Sequence, residues 1–285
     1  MTPLRQQMIT AMQVRGFSPR THQAYLWAIQ GLAAHFQQSP EQLSLEQIKT
    51  YLEYLACERH LSASSCRLVL HAIRFLFVQV LKRSDVDEPI PVPKLPQRIP
   101  ELLTRDEVNR ILAACLNHKH LMMLEVCYGC GLRVSELCHL KVSNIDGQRH
   151  LLRVVQGKGA KDRPVILSDT LLHHLRAYWR DYRPSDWLFP SNLLPDAALH
   201  PSSIQKVYSR AKASAGVKRQ GGIHGLRHAY ATHLLEGGLP IHQLQHLLGH
   251  SDIRTTLRYV HWLPGDVQCA NPDTDLIAQL GVSHG

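Results

Sequence analysis

The sequence predicts a mainly α-helical protein with a small β-hairpin. A helical N-terminal module precedes a larger, mixed but mostly helical second domain. Three observations predict this. Apolar residues recur at helical spacing along most of the 285 residues. Serine or threonine residues followed by proline, or by Gln or Glu three positions on, precede several of these runs. One pair of short leucine-rich or β-branched runs, residues 151–155 and 164–167, departs from helical periodicity and flanks a glycine-containing turn.

Leu4, Met8, Ile9 and Met12 mark the first helix, which Gly16 interrupts. Ser18 with Pro19 opens a second helix through about Gln38, with Tyr25, Leu26, Ile29, Leu32, Ala33 and Phe36 on one stripe. Ser44 caps a third helix with Gln47 completing a capping box, and Ile48, Leu52, Leu55 and Ala56 form its inner face. Ser62 opens a fourth, with Leu68, Val69, Ala72, Ile73, Leu76 and Val80 inside. These elements define an N-terminal domain over residues 1–86. Residues 87–101 include DEPIPVPKLPQRIP, whose five prolines favour an extended linker of fixed span.

The second domain, residues 102–285, opens at Thr104, where Glu107 completes a capping box. Leu121–Cys127 reads as a buried helix ended by Gly129-Cys130-Gly131, and Leu132–Leu140 starts another. The hairpin follows, with QGKGAKDR between its strands. Leu171–Tyr182 is helical, and Ser202 or Ser203 is expected to cap a helix reaching about Gly216. Helices are expected around Leu226–Glu236, Ile241–Leu248 and Ile253–Tyr259, with a short final one at Asp275–Leu280.

A net charge of +9 points to a polyanionic partner, nucleic acid first and an anionic membrane second. Residues 1–90 hold nine basic and seven acidic side chains, and 91–285 hold 23 and 16, so the second domain carries most of the field. The 44% hydrophobic content excludes global disorder. Seven scattered cysteines give no disulfide framework and fit a reducing compartment. The N-terminus lacks a signal-peptide core, and no uncharged apolar window has membrane-spanning length. A soluble cytoplasmic protein is expected.

Several side chains suit phosphate chemistry. Arg133, in GLRVSEL, offers a guanidinium that matches phosphate geometry, with Glu136 on the same face to orient it. Lys158 sits between glycines at the hairpin turn and can act as a general acid, while Lys161 and Arg163 flank it as phosphate or DNA contacts. His224 and Arg227 share a helix face at i and i+3. Tyr259 is a nucleophile only if cations or a base activate it, and His250, Arg133 and Arg227 can do so. Each group alone has a plainer reading: a surface arginine, a solvated turn lysine, a packing tyrosine. His242, His246 and His250 are spaced by four, but no carboxylate or cysteine nearby completes a metal site, so no metal is expected. Cys127 and Cys130 read as core packing rather than a redox or zinc pair.

In order, GLRVSEL, GKGAKDR, HGLRHAYATHLL and LLGHSDIRTTLRYVH resemble the tyrosine recombinase (phage integrase) family over essentially the whole chain. The likeness is to compact Xer-type and transposon- or integron-associated members, although no integron-type insertion is identifiable between Trp187 and Gly222. The resemblance implies a SAM-like core-binding domain and a catalytic domain that clamp double-stranded DNA in a C shape. It implies that Arg133 and Arg227 hold the scissile phosphate and that Lys158 protonates the departing 5′-oxygen. His224 would be a general acid/base, and His250 would hold the phosphate. Tyr259 would attack to give a 3′-phosphotyrosine. Strand exchange would pass through a Holliday junction within a homotetramer, with no cofactor, and the C-terminal helix would dock on a neighbour. A second recombinase or an accessory protein is a further possible partner. Two alternatives stay open: a type IB topoisomerase, which would relax plasmid of any sequence as a monomer, and a DNA-binding protein of this fold without catalysis.

Overall fold

In the computed structural model, which describes residues 2–83, 85, 101–155, 162–191 and 196–262, most helix starts carry a local chemical reason. Thr2 accepts from the Arg5 amide and opens α1 (Pro3–Val14), and Ser18 accepts from the Thr21 amide ahead of Pro19 in α2 (Pro19–Phe36). The Ser44–Gln47 capping box is formed at α3 (Leu45–Cys57), with both reciprocal bonds present. Ser62 caps α4 (Ala63–Arg74), which runs on through a π-helical turn at Phe75–Val80.

The chain divides into two units, Met1–Arg98 and Ile99–Gly285. In the first, α1 to α4 enclose a core that includes Met8, Met12, Leu32, Ile48, Leu52, Ile73, Leu76 and Phe77. Each such side chain contributes about 1.5–3 kcal/mol on leaving water. The stretch Ala63–Val80 is long and apolar enough to cross a membrane by length and composition. It nevertheless carries Arg67 and Arg74, and it turns Cys66, Val69, Leu70, Ile73 and Leu76 into this core. Arg83 closes the unit, donating to the Leu43 carbonyl at 2.6 Å with its guanidinium over the Phe77 ring. The proline-rich stretch expected as a linker lies outside the described residues.

The second unit begins with α5 (Arg105–Ala113), whose Thr104–Glu107 capping box is formed. It is built around α6 (His118–Gly129), which buries Met122, Met123, Leu124, Val126 and Cys127. A helix apolar on so many sides belongs in a core, and here α8 (Asp169–Tyr182) and α10 (His224–Glu236) pack on it. Cys127 and Cys130 lie in that core, and burial pushes both thiols up to about 12. After α6 come α7 (Val134–Cys138) and a three-stranded antiparallel sheet: β1 (Ile145–Asp146), β2 (Leu151–Val154) and β3 (Arg163–Ile166). The hairpin pairs Val154 with Arg163 and Leu151 with Ile166. The two-residue β1 was not anticipated, because so short a strand has no readable periodicity.

α9 (Pro201–Ser214) starts earlier than expected. His200, not a serine, is its cap, and Pro201 takes the first helical position. α11 (Ile241–Leu248) and α12 (Ile253–Val260) complete the fold. With α10 they form a separate small cluster of Ala231, Leu244, Leu248 and Tyr259, flanked by Tyr230, Leu234, Leu235, Leu239 and Trp262. The expected helix at Asp275–Leu280 lies outside the described residues.

Gly131, between α6 and α7, holds φ at +57°, and a Cβ there would overlap the Tyr230 ring. Gly131→Ala is expected to cost about 2 kcal/mol or more, from left-handed strain plus overpacking. Gly16→Ala, also at positive φ but with nothing nearby, should cost only the strain of roughly 1 kcal/mol. Denaturant unfolding of the two variants measures the difference.

Candidate active site

The site begins with one buried carboxylate. Glu136, on α7, accepts from the Arg133 backbone N–H at 2.8 Å and from the Arg133 guanidinium at 2.7 Å. Arg163, the first residue of β3, grips the same carboxylate with two parallel bonds of 2.8 Å each. Arg227, from α10, stands 3.9 Å away. Burial alone would raise the Glu136 pKa, but the Arg163 and Arg133 bonds override it and hold the acid at about 2.

Arg163 departs from expectation. It was expected to reach phosphate or DNA, yet it is 8% exposed and spends its donors on Glu136 and on the Leu247 carbonyl at 2.9 Å. The alternation of the strand explains this. Arg163 and Val165 face inward while Pro164 and Ile166 face out. A Cβ on Gly249, at φ +63°, would meet the Arg163 side chain at 2.8 Å, so the glycine makes room for it. Lys158 and Lys161 lie outside the described residues.

Arg227 is 1% exposed. One terminal nitrogen donates to the Gly131 carbonyl at 2.6 Å, and the other to Leu248 O at 2.7 Å and His250 Nε2 at 3.1 Å. Burial, and then the Arg133 charge, lower its pKa to about 10. A guanidinium so placed favours an incoming anion. A guanidinium only donates, so His250 Nε2 accepts, and its proton sits on Nδ1, 2.9 Å from Thr256 Oγ1. Burial, then Arg227 and Arg133, push His250 down to about 4.

His224 is the first residue of α10 and is exposed, although packing around it, followed by Arg227 and Arg133, lowers its pKa. Its ring lies 4.5 Å from that of His228, one turn on. Tyr259, on α12, is 3% exposed. Its hydroxyl is 3.2 Å from His228 Nδ1, and its ring lies parallel to His250 at 6.3 Å. Burial raises its pKa, while the Arg227 charge, a hydrogen bond with Arg227 and the Arg133 charge pull the other way.

Five of the residues singled out from sequence thus converge: Arg133, His224, Arg227, His250 and Tyr259. His228 was passed over. Its signal was available, since it stands one turn from His224 and beside Arg227, but nothing in sequence tied it to Tyr259. His242 and His246 are exposed on α11. Among the described residues, no group of three or more His, Cys, Asp or Glu is placed to hold a metal ion.

Glu136 sets an acid limit. Its folded pKa lies below the ordinary 4.5, so its stabilisation is full above about pH 4.5 and is lost as pH falls towards 2. The gap corresponds to about 3 kcal/mol. Glu136→Gln should lose about that much or more at pH 7, because Arg163 is left without a counter-charge. Its unfolding free energy should also fall less between pH 5 and pH 2 than the native protein's. Unfolding across that range checks both.

Residues 101–264 match the phage integrase family, and residues 4–85 match the family's N-terminal SAM-like domain. A Sinorhizobium fredii protein named "Putative integrase/recombinase y4qK" is 44% identical over 264 residues, covering 91% of this chain and 84% of that one. A tyrosine recombinase of Pseudothermotoga lettingae is 32% identical over 262 residues, covering 88% and 90%. The fold is similar to that in a crystal structure of a lambda integrase tetramer bound to a Holliday junction, with a TM-score of 0.72 at 20% identity, covering 90% of this chain and 76% of that one. With family matches running from residue 4 to residue 264, and an arginine–histidine–tyrosine centre inside the larger match, this chain belongs to the phage integrase family and is a tyrosine recombinase, an enzyme of site-specific DNA recombination.

Proposed function

We propose that the protein cuts and rejoins DNA strands through a 3′-phosphotyrosine on Tyr259 and exchanges strands between two paired duplexes. The observation that carries this reading is the convergence of Arg133, Arg227, His250 and Tyr259, from three separate stretches of chain, around one electropositive centre. Arg227 is fixed by two backbone carbonyls and by His250, so its position costs nothing further when a phosphate arrives. Arg133 binds Glu136 through one terminal nitrogen. The two guanidinium groups bind the non-bridging oxygens of the scissile phosphate and stabilise the charge that grows there during attack.

In this scheme the Tyr259 oxygen bonds to phosphorus and the 5′-oxygen departs, taking its proton from Lys158. His224 serves as acid or base, and His250 holds the phosphate once its proton has moved from Nδ1 to Nε2. The released 5′-hydroxyl of a partner strand then reverses the step. The phosphotyrosine conserves the bond energy, so the residues themselves carry the chemistry without a cofactor. Exchange of two strand pairs requires a Holliday junction and four subunits, an arrangement named for the lambda integrase structure of similar fold. Duplex DNA is the partner, and the net charge of +9 supports it. The buried free thiols suit a cytoplasmic setting.

A nicked suicide duplex carrying the site this protein footprints should trap a covalent adduct. Tyr259→Phe should abolish it, and an undiminished adduct with that variant would remove Tyr259 from the nucleophile role. Arg227→Ala should lower cleavage by about 100-fold or more, the scale of losing a charge-stabilising donor, while leaving most of the DNA affinity. Lys158→Ala should cleave slowly on a normal duplex and recover on one whose 5′ leaving group needs no proton. Gel analysis of the adducts reads all three.

A further inference from the structure

His228 is neither in the phosphate clamp nor in the motif pair His224–Arg227, yet its side chain meets the nucleophile's hydroxyl. Its Nδ1 lies 3.2 Å from the Tyr259 hydroxyl. Its ring packs against Tyr259 at 5.6 Å and edge-on to Trp262 at 5.4 Å, and Trp262 in turn meets Tyr259 edge-on at 5.1 Å. The three rings form a closed triangle, with the His228–Tyr259 bond as its polar link. The His250 ring lies parallel to the phenol at 6.3 Å. The tyrosine is therefore held by ring contacts, and its hydroxyl meets His228 Nδ1 and the Arg227 guanidinium.

We propose that His228 is a positioning residue for strand cleavage: its Nδ1 sets where the Tyr259 oxygen stands relative to the phosphate that Arg227 holds. The inference rests on the reading of Tyr259 as nucleophile. Three observations carry it. First, His228 follows Arg227 directly on α10, so one rigid helix registers the phosphate-binding group against the attacking atom. Arg227 projects towards Gly131 O and Leu248 O, and His228 towards α12. Second, α12 belongs to the small cluster of Ala231, Leu244, Leu248 and Tyr259 rather than to the main core, so few apolar contacts fix its position. The polar contacts at the hydroxyl then weigh more in placing the phenol. Third, burial and the neighbouring His224 and Arg227 hold His228 at about pKa 4, so at neutral pH it is a neutral imidazole able to share a hydrogen with a phenol. A misplacement of about 1 Å at a reacting centre can cost on the order of 100-fold in rate, which sets the scale of the effect.

The test separates the nitrogen from the ring. His228→Phe keeps an aromatic ring in the triangle and removes the bond. His228→Asn loses the ring but returns a hydrogen-bonding atom near the Nδ1 position. Single-turnover adduct formation on the nicked suicide duplex is measured at saturating full-length protein, with DNA affinity by gel shift and melting temperature alongside. His228→Phe is expected to cleave roughly 10- to 100-fold more slowly, with unchanged affinity and a near-native melting temperature. His228→Asn is expected to recover most of that rate; should it not fold, His228→Gln takes its place. A His228→Phe protein that cleaves at the native rate overturns the proposal, as does an Asn or Gln variant that folds but is no faster than His228→Phe. Tyr259→Phe is run in parallel. Adduct surviving in that variant overturns the nucleophile reading itself. Its loss there, together with native cleavage by His228→Phe, overturns only the role given to His228.

Discussion

Glu136 and the guanidinium groups around it are the interaction on which the second unit depends. One carboxylate, nearly buried, neutralises Arg163 and Arg133 and lies close to Arg227. Without it, three like charges would share a poorly hydrated space, where a pair at about 4 Å repels by roughly 4 kcal/mol even at an effective dielectric of 20. The carboxylate also joins elements. Arg163 brings β3 to α7 and, through the Leu247 carbonyl, to α11. Arg227 joins α10 to the Gly131 turn and to the end of α11. The positive centre is thus assembled around a negative one, and the charge left over faces the site.

The nucleophile is fixed by different means. Tyr259 is held by α10, α11 and α12 in a cluster far smaller than the main core. Its burial raises the phenol pKa while Arg227 and Arg133 lower it, so the two effects oppose each other within one side chain. The groups that would bind phosphate sit on backbone carbonyls and a buried ion pair, whereas the group that would attack sits on ring contacts and on hydrogen bonds at its hydroxyl. Small clusters of this kind open at lower free energy than a main core. This places α12 at the more easily displaced end of the site.

The two glycines that matter do so for shape. Gly131 turns the chain from α6 into α7, keeps clear of Tyr230 and presents its carbonyl to Arg227. Gly249 ends α11 in the left-handed conformation, leaves space for the Arg163 side chain and leads directly to His250. Each couples a backbone reversal to the placement of a charged group.

By itself, the sequence determined the features that depend on neighbours in the chain. Helix starts at Ser18, Ser44, Ser62 and Thr104 are local hydrogen-bond chemistry, and the inner faces of α2 to α4 follow from periodicity. The same holds for the hairpin, and for the motifs whose order and residue types gave the family. Where a local signal was ambiguous, the reading slipped, as at the α9 cap, where His200 with Pro201 prevailed over nearby serines. Only the tertiary structure decided which way long side chains point. Arg163 looked like a DNA contact because it follows a basic turn, but strand alternation and the Glu136 carboxylate, 27 positions away, turn it inward. His228 carried no reading from sequence, because its partner is 31 positions away on another helix. A partner that distant leaves no periodic trace in the chain, because the contact is made by packing between elements and not by the spacing within one.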